Sequence, residues 1–269
     1  MDFAGSVLLN MSDVLITTST QNYPLGTRGY TRDGRAFRYA KNAATALAAG
    51  RLCQSSVPVT YANSSKMSGT TKILANKQSI KLVSCSGAFS TINAYAEGYV
   101  YSYCSSTGLG QPSYAQIKSH NRGNASATNV ITFQFAEADT LYAASTILGA
   151  TDLNIGVIKN PYKDVIVTPS GAKTSMVVGV PVRPITASYF FWLQTWGICP
   201  VRSYSRIGVI GGAVGASTST NAGTVSGCSA STAGAKTCEL WGEGINLVGD
   251  SAIVGVSGET RPVYLRLAP

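Results

Sequence analysis

The sequence predicts an all-β, mainly antiparallel fold, and three observations carry that reading. Only 12% of the 269 residues are charged and 28 are glycine, while Ser, Thr and Ala crowd the connecting segments. Such a composition is poor helix material and suits short strands joined by polar loops. Apolar residues also recur with a period of two in one run after another. Most informative is Gly179–Val209, where Tyr189, Phe191, Leu193 and Thr195 alternate with Phe190, Trp192, Gln194 and Trp196. A strand here has aromatic rings on both faces, so it belongs inside a sheet and is covered on both sides. Pro181 and Pro184 favour an extended entry, and Gly197 with Pro200 predict a turn into a second strand, VRSYSRIGV. The stretch therefore reads as a buried hairpin.

In chain order, residues 1–22 read as an N-terminal arm. Val7, Leu8, Met11, Val14 and Leu15 would suit a short amphipathic helix, whereas the Thr/Ser run that follows favours an extended path. A β-rich domain over 23–269 comes next, with room for two β subdomains divided near 168–180. Pro24-Leu25-Gly26 and Asp33-Gly34 are turn signals, the second leading into a strand from Arg35 to Ala40. The alanines of 41–49 tempt a helix, but Gly50 before Arg51-Leu52-Cys53-Gln54 favours a turn into a strand. Ile80 and Leu82 alternate with Val83 and Cys85 in a further strand. Tyr95, Tyr99, Tyr101 and Tyr103 share one face if their strand is unbroken; such a row can bind sugars or a partner chain, or form a half-buried sheet face. Gly108–Pro112 turns the chain into a return strand from Ser113 to Ser119, and His120, the single histidine, is placed in an exposed loop. Ile131, Phe133 and Phe135 line one side of the next strand, an Asn160-Pro161 turn separates two more, and Gly211–Lys236 reads as a long surface loop or weak ribbon. Ala252–Val256 and Pro262–Leu267 close the chain, the last with Val263, Leu265 and Leu267 inward and Tyr264 and Arg266 outward.

Twenty-one Lys and Arg against twelve acids give a net charge of +9, which favours an acidic partner surface. The basic residues are scattered and form no run or RNA-binding signature, which argues against direct nucleic-acid binding. The six cysteines, at 53, 85, 104, 199, 228 and 238, contain no CxxC, so no zinc site is expected; Cys228 and Cys238 could be bridged or free. Asp2 and Asp13 in the opening segment are unlike a secretory leader, so the expectation is synthesis in a reducing cytoplasm with mostly buried thiols. No apolar run reaches the roughly 18 residues of a membrane span.

Nucleophile-elbow, P-loop, dinucleotide and zinc-protease motifs are absent from the sequence. Glu137 and Asp139 could in principle form an acid–base pair, but no partners for such chemistry stand nearby. The expectation is no enzyme activity, with no catalytic, cofactor-binding or metal-binding residues to name.

Three segments together resemble virion structural proteins of tailed bacteriophages, closest to the capsid decoration (cement) proteins. They are YPLGTRGYTRDGRAFRYAKN with TALAAGRLCQ, ITFQFAEADT with NIGVIKNPYKDVIV, and VVGVPVRPITASYFFWLQTWGICPV. The resemblance spans most of 23–210 and lies in turns, glycines and aromatics; Gly211–Cys238 has no counterpart in it. It implies a β-barrel or jelly-roll-like sandwich on the outer capsid surface, bound to the major capsid protein as a homotrimer and bridging capsomers, with the N-terminal arm across a neighbour. Two alternatives stay open: a tail- or fibre-associated adhesin using the tyrosine face or the 211–238 loop on a host glycan, and a capsid shell protein, which would need long helices.

Overall fold

The computed structural model describes residues 5–58, 65–66, 79–83, 89–104, 113–122, 130–136, 153–204, 210–217, 220–227, 244–246 and 259–268. Its elements are strands, most of them paired antiparallel, and one four-residue helix, so the all-β expectation holds; the sheets are open rather than closed into a barrel among the described residues. The chain divides into two units, Met1–Val57 with Pro161–Pro269, and Pro58–Asn160, the second inserted in the sequence of the first. The division expected near 168–180 lies instead within the first unit. Strand β11 (Ile166–Val167) ends just before that stretch and β12 (Val177–Pro181) begins within it, and both pair with β4 (Cys53–Gln54). The stretch is thus a local connection in one sheet system.

In the first unit, β1 (Ser6–Leu8), β2 (Arg28–Tyr30), β3 (Ala36–Lys41) and β13 (Phe190–Arg202) lie side by side, followed by β17 (Thr260–Arg266), β16 (Gly244–Asn246), β14 (Ala213–Ala216) and β15 (Val225–Gly227). From residue 5 the N-terminal segment is part of this unit and not a free arm. Strand β1 runs parallel to β2, a single turn α1 (Met11–Val14) follows, and Thr18 exchanges backbone hydrogen bonds with Phe190. Asn10 N–H donates to Asp13 Oδ2 at 2.9 Å and closes that turn. Leu9 and Val14 are buried against Phe37, Tyr39, Phe190 and Trp192, which is why the segment docks.

Strand β13 is the centre of the unit. Phe190 and Trp192 pack on the N-terminal side, with Tyr39 stacked on Phe190 and edge-on to Trp192, while Phe191 and Leu193 pack on the opposite side with Cys53, Val165, Val178 and Ile185. The two-sided burial expected from the alternation is present. The expected hairpin is not: Gly197 and Pro200 sit inside one 13-residue strand. A bulge after Gln194 shifts the register against β3, Gly197 takes φ +86°, and β13 then pairs with β17 from Trp196 to Arg202. Pro200 is directly opposite Pro262. Two residues without N–H groups can face each other only as a non-hydrogen-bonded pair, and that position lets the strand continue through its proline.

The second unit is a six-stranded antiparallel sheet in the order β5 (Ser65–Lys66), β10 (Leu153–Ile158), β7 (Tyr99–Cys104), β8 (Ser113–His120), β9 (Val130–Phe135) and β6 (Ser79–Val83). One of its sides is covered by Phe89 and Tyr95 and contributes Ile80, Val100, Ile117, Ile131, Phe133, Phe135 and Val157 to a core. Ile131, Phe133 and Phe135 therefore share the inner side as their spacing requires. The strand expected from Ala252 to Val256 lies outside the described residues. No helix among the described residues is long and apolar enough to cross a membrane.

Candidate functional site

Two exposed sheet faces, one in each unit, are the features that can bind a partner. In the first unit the bulge in β13 sets the face. Gln194 is fully buried, and its Nε2 donates to the carbonyls of Trp196 at 3.2 Å and Ile198 at 2.9 Å, holding the strand in its new register. Beyond the bulge the side chains alternate strictly. Cys199, Val201, Val263 and Leu265 go into the core, and Trp196, Ile198, Pro200, Pro262 and Tyr264 point outward. Ile198 is 57% exposed, and the Trp196 and Tyr264 rings meet edge to face at 5.7 Å. Arg202 and Arg266 stand at the ends of this apolar strip. Sequence reasoning missed the strip because it ended the strand at Gly197; the signal was the unbroken alternation of Trp196, Ile198, Pro200 and Arg202 with smaller or apolar inward residues.

In the second unit the tyrosine row is shorter than expected. The strand begins at Tyr99, after a turn in which Asn93 and Glu97 take φ +56° and +66°. Tyr95 lies in that turn and is buried in the core, where burial raises its hydroxyl pKa. Tyr99 and Tyr101 point to the open side with Tyr114 of β8, and the Tyr103 side chain lies outside the described residues. His120 is not in an exposed loop. It ends β8 fully inside the core, between Phe89, Tyr95 and Phe133, with Nε2 accepting the Tyr95 N–H at 3.0 Å and Nδ1 2.8 Å from the Asn121 carbonyl. This pair of contacts fixes the neutral Nδ1–H tautomer. Polar neighbours in sequence pointed outward, but the alternation of β8 past its bulge points inward.

Glu137, Asp139, Cys228, Cys238 and Trp241 lie outside the described residues, as do 218–219 and 228–236 of the expected surface loop. No three His, Cys, Asp or Glu side chains cluster as metal ligands among the described residues. Cys53 and Cys199 are buried free thiols. Burial pushes both upward, Cys199 to about 12, against a smaller opposing effect of Arg51 on the first and Arg35 on the second. Neither thiol is therefore nucleophilic near neutral pH. Iodoacetamide labelling of the native protein, read by peptide mass spectrometry, is expected to leave both unmodified until the protein is denatured; native labelling of either would contradict this burial.

Among the described residues, Asp33 carries the one strongly lowered carboxylate. In the β2–β3 turn it accepts from Arg35 Nε at 2.8 Å and from the Thr31 hydroxyl at 2.5 Å, and these bonds hold its pKa at about 2 instead of 3.8. A lowered folded-state pKa gives stability that is present above 3.8 and lost as pH falls toward 2. The side chain is more than half exposed, so solvent screens the pair and the effect is local. Amide resonances of Gly34 and Arg35 are expected to shift across that window, and Asp33→Asn is expected to abolish the shift.

No protein-family model matches this chain, and no curated protein or solved structure matches it.

Proposed function

We propose that the chain is a non-enzymatic virion structural protein of a tailed bacteriophage that decorates the icosahedral head. It binds the major capsid protein on the outer capsid surface, associates as a homotrimer and bridges neighbouring capsomers. The observation that supports this reading is the outward strip of β13 and β17. Trp196, Ile198, Pro200, Pro262 and Tyr264 make one apolar, rigid surface with arginines at its ends. Aromatic anchors with arginine at the margin are the chemistry of a protein interface and need no reacting groups. The net charge of +9 complements an acidic shell, and symmetry multiplies each weak contact over the head. The first and third segments that carry the resemblance form the β2–β3 hairpin and the β12–β13 pair, next to this strip.

Cryo-electron microscopy of purified virions tests the reading by location and copy number. Trimers over the head surface, in hundreds of copies by the count a decorated icosahedral lattice implies, are expected. A few copies at the tail or a vertex would overturn the head assignment in favour of the adhesin alternative. Ile198→Glu is expected to prevent incorporation while leaving the melting temperature of the free protein unchanged, because the side chain is already in solvent.

A further inference from the structure

We propose that the open face of the second unit is a binding site for an acidic polysaccharide, with the exposed Tyr114 ring as its stacking surface, Tyr99 and Tyr101 beside it, and Lys118 as its carboxylate contact. The inference stands on the second unit alone and does not depend on the head-decoration reading.

Tyr99, Tyr101 and Tyr114 come from the adjacent strands β7 and β8, with Tyr101 directly opposite Tyr114. Tyr114 is 72% exposed and Tyr99 36% exposed, their rings edge to face at 6.2 Å. Packing does not require such exposure, since Tyr95 on the same unit is buried in the core. The far end of the Tyr101 ring lies over Gly156 of β10, where a methyl group would collide with it, so the glycine leaves room for the ring across the neighbouring strand. The result is an aromatic patch on the open face, in which the Tyr99 and Tyr114 rings stand at 69° to each other.

A pyranose ring presents a face of polarised C–H groups that meets the negative face of an aromatic ring, while its hydroxyls need neutral donors and acceptors. Gln134 is exposed on the same side, opposite Ser119 and next to Lys118. Charge selects the kind of sugar. The charged side chains described in the sheet strands are Lys81 and Lys118, both exposed and on this face, and no carboxylate stands among them. A polymer bearing carboxylates or sulfates is therefore matched, and a neutral one lacks half of the interaction. Tyr114 and Lys118 are four residues apart on β8, roughly 13 Å along the strand, so a short oligosaccharide can reach both. Single-stranded nucleic acid is the competing occupant, but it calls for a basic groove that follows the phosphates, and the described strand residues of this face include two lysines on separate strands and no arginine.

Isothermal titration of the full chain with heparin and alginate oligosaccharides tests the proposal, with neutral dextran and an oligothymidylate as comparisons. Saturable binding of at least one acidic oligosaccharide and none of dextran is expected. Tyr114→Ala is expected to weaken it about tenfold, the loss of one stacked ring. Lys118→Gln should weaken it several-fold and flatten its salt dependence, and Gly156→Ala should weaken it by displacing the Tyr101 ring. Ile198→Glu in the other unit is expected to change nothing, which separates this site from the head-binding surface. The proposal is overturned by absence of saturable binding to both polysaccharides, by binding that Tyr114→Ala and Lys118→Gln both leave intact, or by tighter binding of the oligothymidylate through the same side chains.

Discussion

Replacing Gln194 by alanine is expected to destabilise the first unit by about 2–4 kcal/mol, a large share of the stability of an ordinary domain. The side chain is fully buried at the bulge of the central strand, and both of its donor bonds go to main-chain carbonyls of that strand, those of Trp196 and Ile198. Alanine removes both donors and leaves a space that the packed sheet closes only in part. The orientation of the carboxamide follows from the same contacts, because Oε1 is buried without a partner and a flipped amide would set an acceptor against two carbonyl oxygens. Gln194→Met separates the two costs: it keeps the volume and lacks the donors, so it should retain most of the loss if hydrogen bonding dominates. Urea unfolding followed by tryptophan fluorescence reads the change, since Trp192 and Trp196 flank the site. A loss well below about 1 kcal/mol for both variants would mean that the bulge is held by the pairing of β13 with β17 alone. The same experiment bears on the proposed capsid-binding strip, because Ile198 points outward only in the shifted register.

How much of this was legible in the sequence depended on whether a pattern had one physical cause or two. Phe190 to Leu193 could be read directly: aromatic residues at consecutive positions of an extended chain must occupy both faces, and both are buried. The inner side of β9 and the inward Val263 and Leu265 were equally plain, because period-2 alternation with one covered side admits a single register. Gly197 and Pro200 were misleading because each residue type serves both turns and bulged strands, and only the partner strand decides. Pro262, sixty-two residues further along the chain, is that partner, and a local reading cannot see it. His120 failed for a related reason. Its neighbours are loop formers, yet the bulge around Lys118 reverses the side-chain parity at the end of β8 and carries the imidazole inward. In sequence the N-terminal segment reads as an arm because a Thr/Ser run follows its apolar residues; Leu9 and Val14 suffice to dock it once the rings of Trp192 and Tyr39 offer them a surface. The tyrosine row was correct in direction and wrong in length, since the residues at positive φ that start the strand at Tyr99 are Asn93 and Glu97, of which only the first is a habitual left-handed residue.

Two glycine substitutions in the second unit should behave in opposite ways, and the contrast tests the geometry of its sheet. Gly98 lies in the tight turn that opens β7; its N–H donates to the Tyr95 carbonyl at 3.0 Å and its carbonyl accepts from Ile117 at 2.8 Å. A methyl group there would overlap the Ile158 carbonyl oxygen and lie 2.9 Å from that of Tyr95 and 3.1 Å from the Asn160 nitrogen. All three obstacles are main chain, so none can rotate away, and relief requires the turn to separate from the end of β10. Gly98→Ala is therefore expected to cost about 3 kcal/mol or more, in the range of severe overpacking. At Gly156 the obstacle is the Tyr101 ring, the far end of a side chain on the open face, which can swing into solvent. Gly156→Ala should accordingly cost less than about 1 kcal/mol, the range of an adaptable surface position. Thermal unfolding gives the totals, and hydrogen exchange at Ile117 and Val157, compared with Phe191 and Val201, shows in which unit the loss falls. Equal costs for the two variants would contradict the placement of the Tyr101 ring over Gly156 and, with it, the aromatic patch. A loss from Gly98→Ala spread evenly over both sets of amides would instead mean that the inserted segment does not unfold as a unit of its own.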